Sequence, residues 1–174
     1  MIQELFDFIV QRWDFLLPLI YEHLQISAIA IVFATIVGVS IGILISEKRK
    51  ASSLTLGIIS FLYTIPSISM LGFLIPVTGI GNTSAIIALS IYALLPIIRS
   101  TYTGITGVAE DVLEAARGMG STRSQILWKI KLPLAMPVIL SGFKNMVVMT
   151  IALAGIASFI GAGGLGVAIY RGIT

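Results

Sequence analysis

Apolar residues gather in long uninterrupted runs along this chain, and the charged residues stand between the runs. Residues 26–45 are 20 positions without a charge, ended abruptly by Ser46-Glu47-Lys48-Arg49-Lys50. Residues 51–98 contain no Asp, Glu, Lys or Arg at all. As helix that second stretch runs about 72 Å, two crossings of a ~30 Å hydrocarbon core and a turn. The runs predict four spanning helices: 26–45, 54–77 with Pro66 inside it, 83–99 with Pro96 near its end, and 137–160, interrupted only by Lys144. The cluster Pro76-Val77-Thr78-Gly79-Ile80-Gly81-Asn82 is the turn between the second and third. Residues 1–25 read differently. There Phe6, Phe8, Trp13, Phe15, Leu16 and Leu17 alternate with Glu4, Asp7, Arg12 and Asp14, which predicts an extracytoplasmic segment lying at the membrane interface rather than a span.

The basic residues orient these spans. Segments 46–53 and 99–133, taken on one side, hold Lys48, Arg49, Lys50, Arg99, Arg117, Arg123, Lys129 and Lys131, whereas the other side holds only Arg12 and Arg171. A Lys/Arg excess marks the cytoplasmic face. The expectation is an N-terminus outside, loop 100–133 inside, and Lys144 close enough to the cytoplasmic interface to snorkel.

Composition narrows the classes. Of 174 residues, 57% are hydrophobic and 11% charged, with mean hydropathy +1.04, against about 25% charged in soluble domains. The chain reads as an all-α, polytopic membrane bundle. With no cysteine and one histidine, His23, disulfides, thiolate chemistry and multi-histidine zinc sites are excluded. The +3 balance comes from bases flanking apolar runs, a topology signal rather than a nucleic-acid surface. The opening MIQELFDFIV lacks a basic start and carries Glu4 and Asp7, so no cleavable signal peptide is expected. No Asp, Glu or His falls inside a predicted span, which removes intramembrane aspartyl or serine catalysis. There is no phosphate-binding Gly-x-x-x-x-Gly-Lys-[Ser/Thr] string either. No enzyme activity and no cofactor are expected of this chain itself.

Loop 100–133 carries the remaining acids, Glu110, Asp111 and Glu114. It predicts two short helices about a glycine hinge. The first has acids in its opening turn, favoured by the helix dipole, and Gly118 and Gly120 available for a left-handed cap. The second opens with Thr122 and Gln125 at capping-box spacing, turns Ile126, Leu127 and Ile130 to one apolar face, and is expected to end at Pro133. Such a unit suits docking into a groove on a soluble partner. An interfacial hairpin that merely joins two spans fits the same periodicity.

Glu114-Ala115-Ala116, three residues, Gly120, nine residues, Ile130, one residue, Leu132-Pro133 resembles, at every defined position, the EAA signature of bacterial ABC-importer permeases. Tyr63-Thr64-Ile65-Pro66-Ser67, Leu134-Ala135-Met136-Pro137-Val138-Ile139 and Ala157-Ser158-Phe159-Ile160-Gly161-Ala162-Gly163-Gly164-Leu165-Gly166 narrow the resemblance. Together they are similar to the permeases of osmoprotectant importers for glycine betaine, carnitine and choline, over residues 25–174. The resemblance implies the ABC importer type I permease fold and a homodimer in a bacterial cell membrane. Each EAA loop would seat in an ATPase subunit that binds the ATP, and an extracytoplasmic substrate-binding protein, separate or fused, would deliver substrate. Glu114, Ala115, Ala116, Gly118 and Gly120 would form the coupling surface, with Ile130, Leu132 and Pro133 completing the motif. Such permeases continue into another transmembrane helix beyond Thr174, so the final helix of the fold is expected to be missing here.

Three further patterns have competing readings. Gly161-x-Gly163-x-x-Gly166 fits a dinucleotide fingerprint as a string, but it follows a membrane span rather than a strand, so a close-packed glycine turn is expected. Pro66 with Thr64 and Ser67 predicts a broken helix, lining a translocation pathway or buried as a packed kink. Tyr63, Tyr92 and Tyr102, with Phe61 and Phe73, offer ring faces to a quaternary ammonium group or serve as packing. The pathway candidates are therefore Tyr63, Thr64, Pro66, Ser67 and Tyr92. A secondary transporter for a small cationic or zwitterionic solute is the alternative to an ATP-driven one.

Overall fold

The computed structural model describes residues 10–173, and every regular element among them is helical. In chain order they are α1 (Trp13–Ser46), α2 (Arg49–Thr64), α3 (Ser67–Thr78), α4 (Asn82–Thr106), α5 (Glu110–Gly118) and α6 (Arg123–Gln125). A π-helical segment Ile126–Lys131 leads into α7 (Leu132–Ala154), a 3-10 segment Gly155–Ile160 and α8 (Leu165–Ile173). By length and composition α1, α4 and the continuous run Arg123–Ile160 each suffice to cross a membrane. The α2–α3 pair makes a fourth span only if counted as one, because it bends by 97° at its break.

Two expected boundaries move. The first helix starts at Trp13, not at the first residue of the charge-free run. A charge ends an apolar run without ending a helix. The 34 residues of α1, at 1.5 Å each, reach about 51 Å, well beyond a ~30 Å core, so Asp14 and Glu22 need not enter it. The first nine residues of the expected interfacial segment lie outside the described residues. Pro133 likewise sits inside a helix rather than ending one. The preceding segment is π-helical, with Leu132 N donating to Leu127 O. That wider turn accommodates a residue with no N–H of its own.

The chain divides into two compact units, with the divisions falling inside α1, α4 and α7 and at the α2–α3 break. The first comprises Met1–Val32, Ile65–Tyr92 and Val148–Thr174; the second comprises Phe33–Thr64 and Ala93–Val147.

The first unit is tied together by polar groups at its loops. Asn82 Nδ2 donates to Glu22 Oε1 at 2.6 Å, and Gly163 N donates to Asn82 Oδ1 at 2.9 Å. Gly81 N reaches Ile160 O at 3.0 Å. His23, buried, donates from Nε2 to Ile151 O at 3.1 Å, filling an acceptor near the end of α7. The glycine string is here a close-packed turn. Gly161 (φ 72°) caps the 3-10 segment, and a Cβ on Gly163 would fall 1.8 Å from the Glu22 carboxylate. Gly164 (φ 90°) packs on His23. Arg171 lays its guanidinium 5.2 Å from the Phe15 ring centroid, a cation–π contact joining α8 to α1.

The second unit packs through small residues. Gly38 and Gly42, one turn apart on α1, lie against Ile97, Ile98 and Thr101 of α4. Gly104 meets Ala135, and Gly142 meets Ser100 and the Pro96 carbonyl. Without a hydrophobic driving force in lipid, such close backbone approach supplies helix association. Thr101, fully buried, returns its hydroxyl to Ile97 O at 2.7 Å, leaving no polar atom unsatisfied at the contact.

Gly163→Ala should displace the Glu22 carboxylate and cost about 1–3 kcal/mol, read as a lower unfolding temperature of the purified protein. Gly57→Ala, where a Cβ meets nothing within 4 Å, should match or exceed wild type, since alanine outranks glycine in a helix.

Candidate functional site

Loop 107–131 folds as a small unit with its own core. Glu110 and Asp111 occupy the first turn of α5, where negative charge meets the exposed N–H groups. At the other end Met119 N donates to Ala115 O at 3.0 Å, Gly120 N to Arg117 O at 2.9 Å and Ser121 N to Ala116 O at 3.0 Å. Gly120 adopts φ 81°, whereas Gly118 stays helical. Of the two expected capping glycines only Gly120 takes the left-handed conformation. The capping box is present: Thr122 N donates to Gln125 Oε1 at 2.8 Å and Gln125 N to Thr122 Oγ1 at 3.3 Å. The two helices close on Leu113, Ala116 and Ile126, all buried, with Val108 and Ile130 packed around them.

This core sorts the candidate coupling residues. Glu114, Ala115, Gly118 and Gly120 are exposed. Ala116 is not: at 2% exposure it lies in the loop's core. Its small side chain lets α5 approach Ile126 within the loop's core. Ile130 is half-buried against the same core, Leu132 is half-buried, and Pro133 is exposed on the continuing helix. The competing role for Glu114, an ion pair with Arg117, is taken by Glu110, 2.7 Å from Arg117. Both partners of that pair are more than half exposed, so it adds little stability. Among the described residues the Glu114 carboxylate makes no hydrogen bond or ion pair. The outward face is thus one carboxylate, small residues and the 80%-exposed Met119, a shape and chemistry that fit a groove.

The second candidate region is the break between α2 and α3. Within the first unit the Tyr92 hydroxyl donates to the carbonyl of Ile65, the residue before Pro66, which stands at the N-terminus of α3 with φ −57° and ψ 137°. Tyr92 is buried, so its hydroxyl secures the break from within. Ser67 is half-buried and Pro66 exposed. Within the second unit Tyr63 and Thr64 are exposed, and the Thr64 hydroxyl returns to Phe61 O at 2.7 Å. Two features escaped the sequence reading: the Glu22–Asn82–Gly163 network and the π-helical segment. Asn82 sat in a cluster that spelled only a turn, and no side-chain pattern announces a π-turn.

Residues 30–174 match the family described as binding-protein-dependent transport system inner membrane component. The chain is similar to the choline transport system permease protein OpuBB of Bacillus subtilis. The two are 42% identical over 153 residues, 88% of this chain and 70% of that protein. It is also similar to the glycine betaine/carnitine/choline transport system permease protein OpuCD of the same organism. That identity is 40% over 171 residues, 98% of this chain and 75% of that one. Among solved structures, the inward-facing MetNI methionine ABC transporter superposes with a TM-score of 0.81 at 26% identity, covering 90% of this chain and 79% of that one.

Gly120→Ala should strain the left-handed position by about 1–2 kcal/mol, whereas Gly118→Ala, with open space at its Cβ, should not. Hydrogen exchange over 110–125 should quicken in the first variant alone.

Proposed function

We propose a role from one premise: the chain belongs to the family of binding-protein-dependent transport system inner membrane components. It is the membrane permease of an ATP-binding-cassette importer for quaternary ammonium compatible solutes, the glycine betaine, carnitine and choline class. ATP is bound and hydrolysed by a partner subunit, an extracytoplasmic binding protein delivers the solute, and a second copy of this chain completes the translocation path. The observation that carries this reading is the loop 107–131. It is a preformed helix–turn–helix with its own core, and its outward face of Glu114, Ala115, Gly118 and Gly120 is left open. The names of the similar permeases support the solute class.

In this mechanism α5 is the coupling helix. The ATPase groove grips its outward face, Glu114 accepting hydrogen bonds from basic or backbone donors there. Because Leu113 and Ala116 bind α5 to Ile126, and Ile126 lies in the helical run Arg123–Ile160, a push on α5 is delivered to that run. The small residues on the gripped face leave room for the partner's backbone. Pro66, Ser67 and Tyr92 of the first unit and, separately, Tyr63 and Thr64 of the second are the residues we assign to solute contact, each within its own unit. The charge distribution supports an outside N-terminus. The second unit, which includes the loop, carries Lys48, Arg49, Lys50, Arg99, Arg117, Arg123, Lys129, Lys131 and Lys144, and the first only Arg12 and Arg171.

A Ser124→Cys variant should react with an impermeant maleimide only after the membrane is opened; the chain has no cysteine of its own to confuse the result. Labelling in intact cells would reverse the orientation. Glu114→Lys should abolish uptake and reduce co-purifying ATPase by about tenfold, the loss expected for a charge-assisted hydrogen bond, with the permease at its normal membrane level. Wild-type uptake and ATPase retention in that variant would remove the coupling assignment.

A further inference from the structure

The second unit contains a cavity of about 420 Å³ bounded by Glu47, Arg117, Arg123, Ile126 and Lys131. Three of its five side chains are cations and one is an anion. Glu47 is already engaged, its carboxylate 3.1 Å from Lys131 Nζ. Arg117 is shared with an exposed Glu110, and the Arg123 guanidinium makes no hydrogen bond or ion pair among the described residues. With Glu110 counted, the cavity is left with a surplus of one positive charge, carried by Arg123, and is lined by two guanidinium groups. Exposed Lys48 and Lys50 follow Glu47 directly in the chain.

Its level is fixed by the chain. Glu47 is the first charged residue after the apolar run of α1, and Lys131 immediately precedes the apolar helix α7. Both mark where chain leaves hydrocarbon for the headgroup layer. Its side of the loop is fixed by helix geometry. Arg117 lies about 40° around the α5 axis from buried Leu113, whereas Gly118 and Ala115 lie ~140° and ~160° from it. The cavity therefore lies on the flank of α5 next to the body of the unit, turned from Ala115 and Gly118; Glu114, three residues before Arg117, lies about 60° from it, between the two faces.

We propose that the cavity bounded by Arg117, Arg123 and Lys131 holds the phosphate of an anionic phospholipid headgroup. Guanidinium groups match phosphate oxygens with paired N–H donors. Anionic lipid is concentrated in the cytoplasmic leaflet, the side on which the proposed topology puts this loop. A bound headgroup would brace the root of the coupling loop against the bilayer. The inference rests on the membrane orientation above but not on the coupling role of Glu114.

The test uses the assembled transporter, permease with its ATPase, in detergent. Native mass spectra are taken after adding phosphatidylglycerol, phosphatidylcholine or inorganic phosphate in separate arms. Wild type should retain phosphatidylglycerol over phosphatidylcholine. Arg123→Gln should lower that retention about tenfold, as expected for one charge-assisted contact, with Arg123→Lys between the two and the ATPase still attached. Equal retention of the two lipids, or no change in Arg123→Gln, overturns the proposal. So does inorganic phosphate binding without lipid, which would make this a free-phosphate site. Loss of ATPase from Arg123→Gln with lipid retention unchanged also overturns it, and would make the cavity part of the protein interface. Ala115→Leu, on the far side of α5 about 160° from Arg117, should leave lipid retention at the wild-type level, so failure of the coupling role and failure of the lipid site are read separately.

Discussion

A backbone surrounded by hydrocarbon has no water to bond, so each N–H and C=O must find a partner inside the protein. That requirement governs every place where this chain departs from a regular α-helix. At the α2–α3 break Tyr92 takes the carbonyl of Ile65. Before Pro133, Leu132 N reaches back to Leu127 O across a wider turn. At the end of the long Arg123–Ile160 run, a 3-10 segment is closed by Gly161, whose N–H meets Ser158 O at 3.1 Å while Ala162 N meets Ala157 O at 3.3 Å. Several side-chain hydroxyls follow the same rule, Ser90, Thr101 and Thr106 each returning to a carbonyl one turn back, whereas the buried Ser27 hydroxyl finds no partner among the described residues. At each of these three breaks a partner is supplied.

The loop obeys a different economy, since it has water and needs stiffness instead. Capping box, left-handed Gly120 and a three-residue core confine a segment that would be too short to hold a helix by itself. A floppy connector between two spans would absorb a displacement; the proposed coupling role requires one whose core includes a residue of the following helix, as this loop's does.

Much of this was visible in one dimension. The apolar runs marked where the long helices lie, the Thr122–Gln125 spacing marked a cap, and the glycine string marked a tight turn. What stayed hidden was of two kinds. Helix ends at Trp13 and across Pro133 were misplaced because hydrophobicity reports the solvent a residue prefers, not the hydrogen bonds its backbone makes. The inward turn of Ala116 and the meeting of Glu22, Asn82 and Gly163 were hidden because they depend on which residues distant in sequence come together. A motif names residues by identity and spacing, and alanine in a motif looks the same whether it faces a partner or the chain's own core.

The π-helical segment Ile126–Lys131 also fixes a phase. A π-turn behaves as one residue inserted into an α-helix, so it turns everything upstream by about 100° relative to everything downstream. Ile130 and Leu132 of the signature are joined through that inserted residue, and α7 and the loop owe their mutual facing to it. Removing one residue from the segment would give a more regular helix and a worse protein, with α5 swung a quarter-turn or more around the axis and its outward face aimed elsewhere. The length of that stretch is under tighter restraint than the identity of most side chains in it.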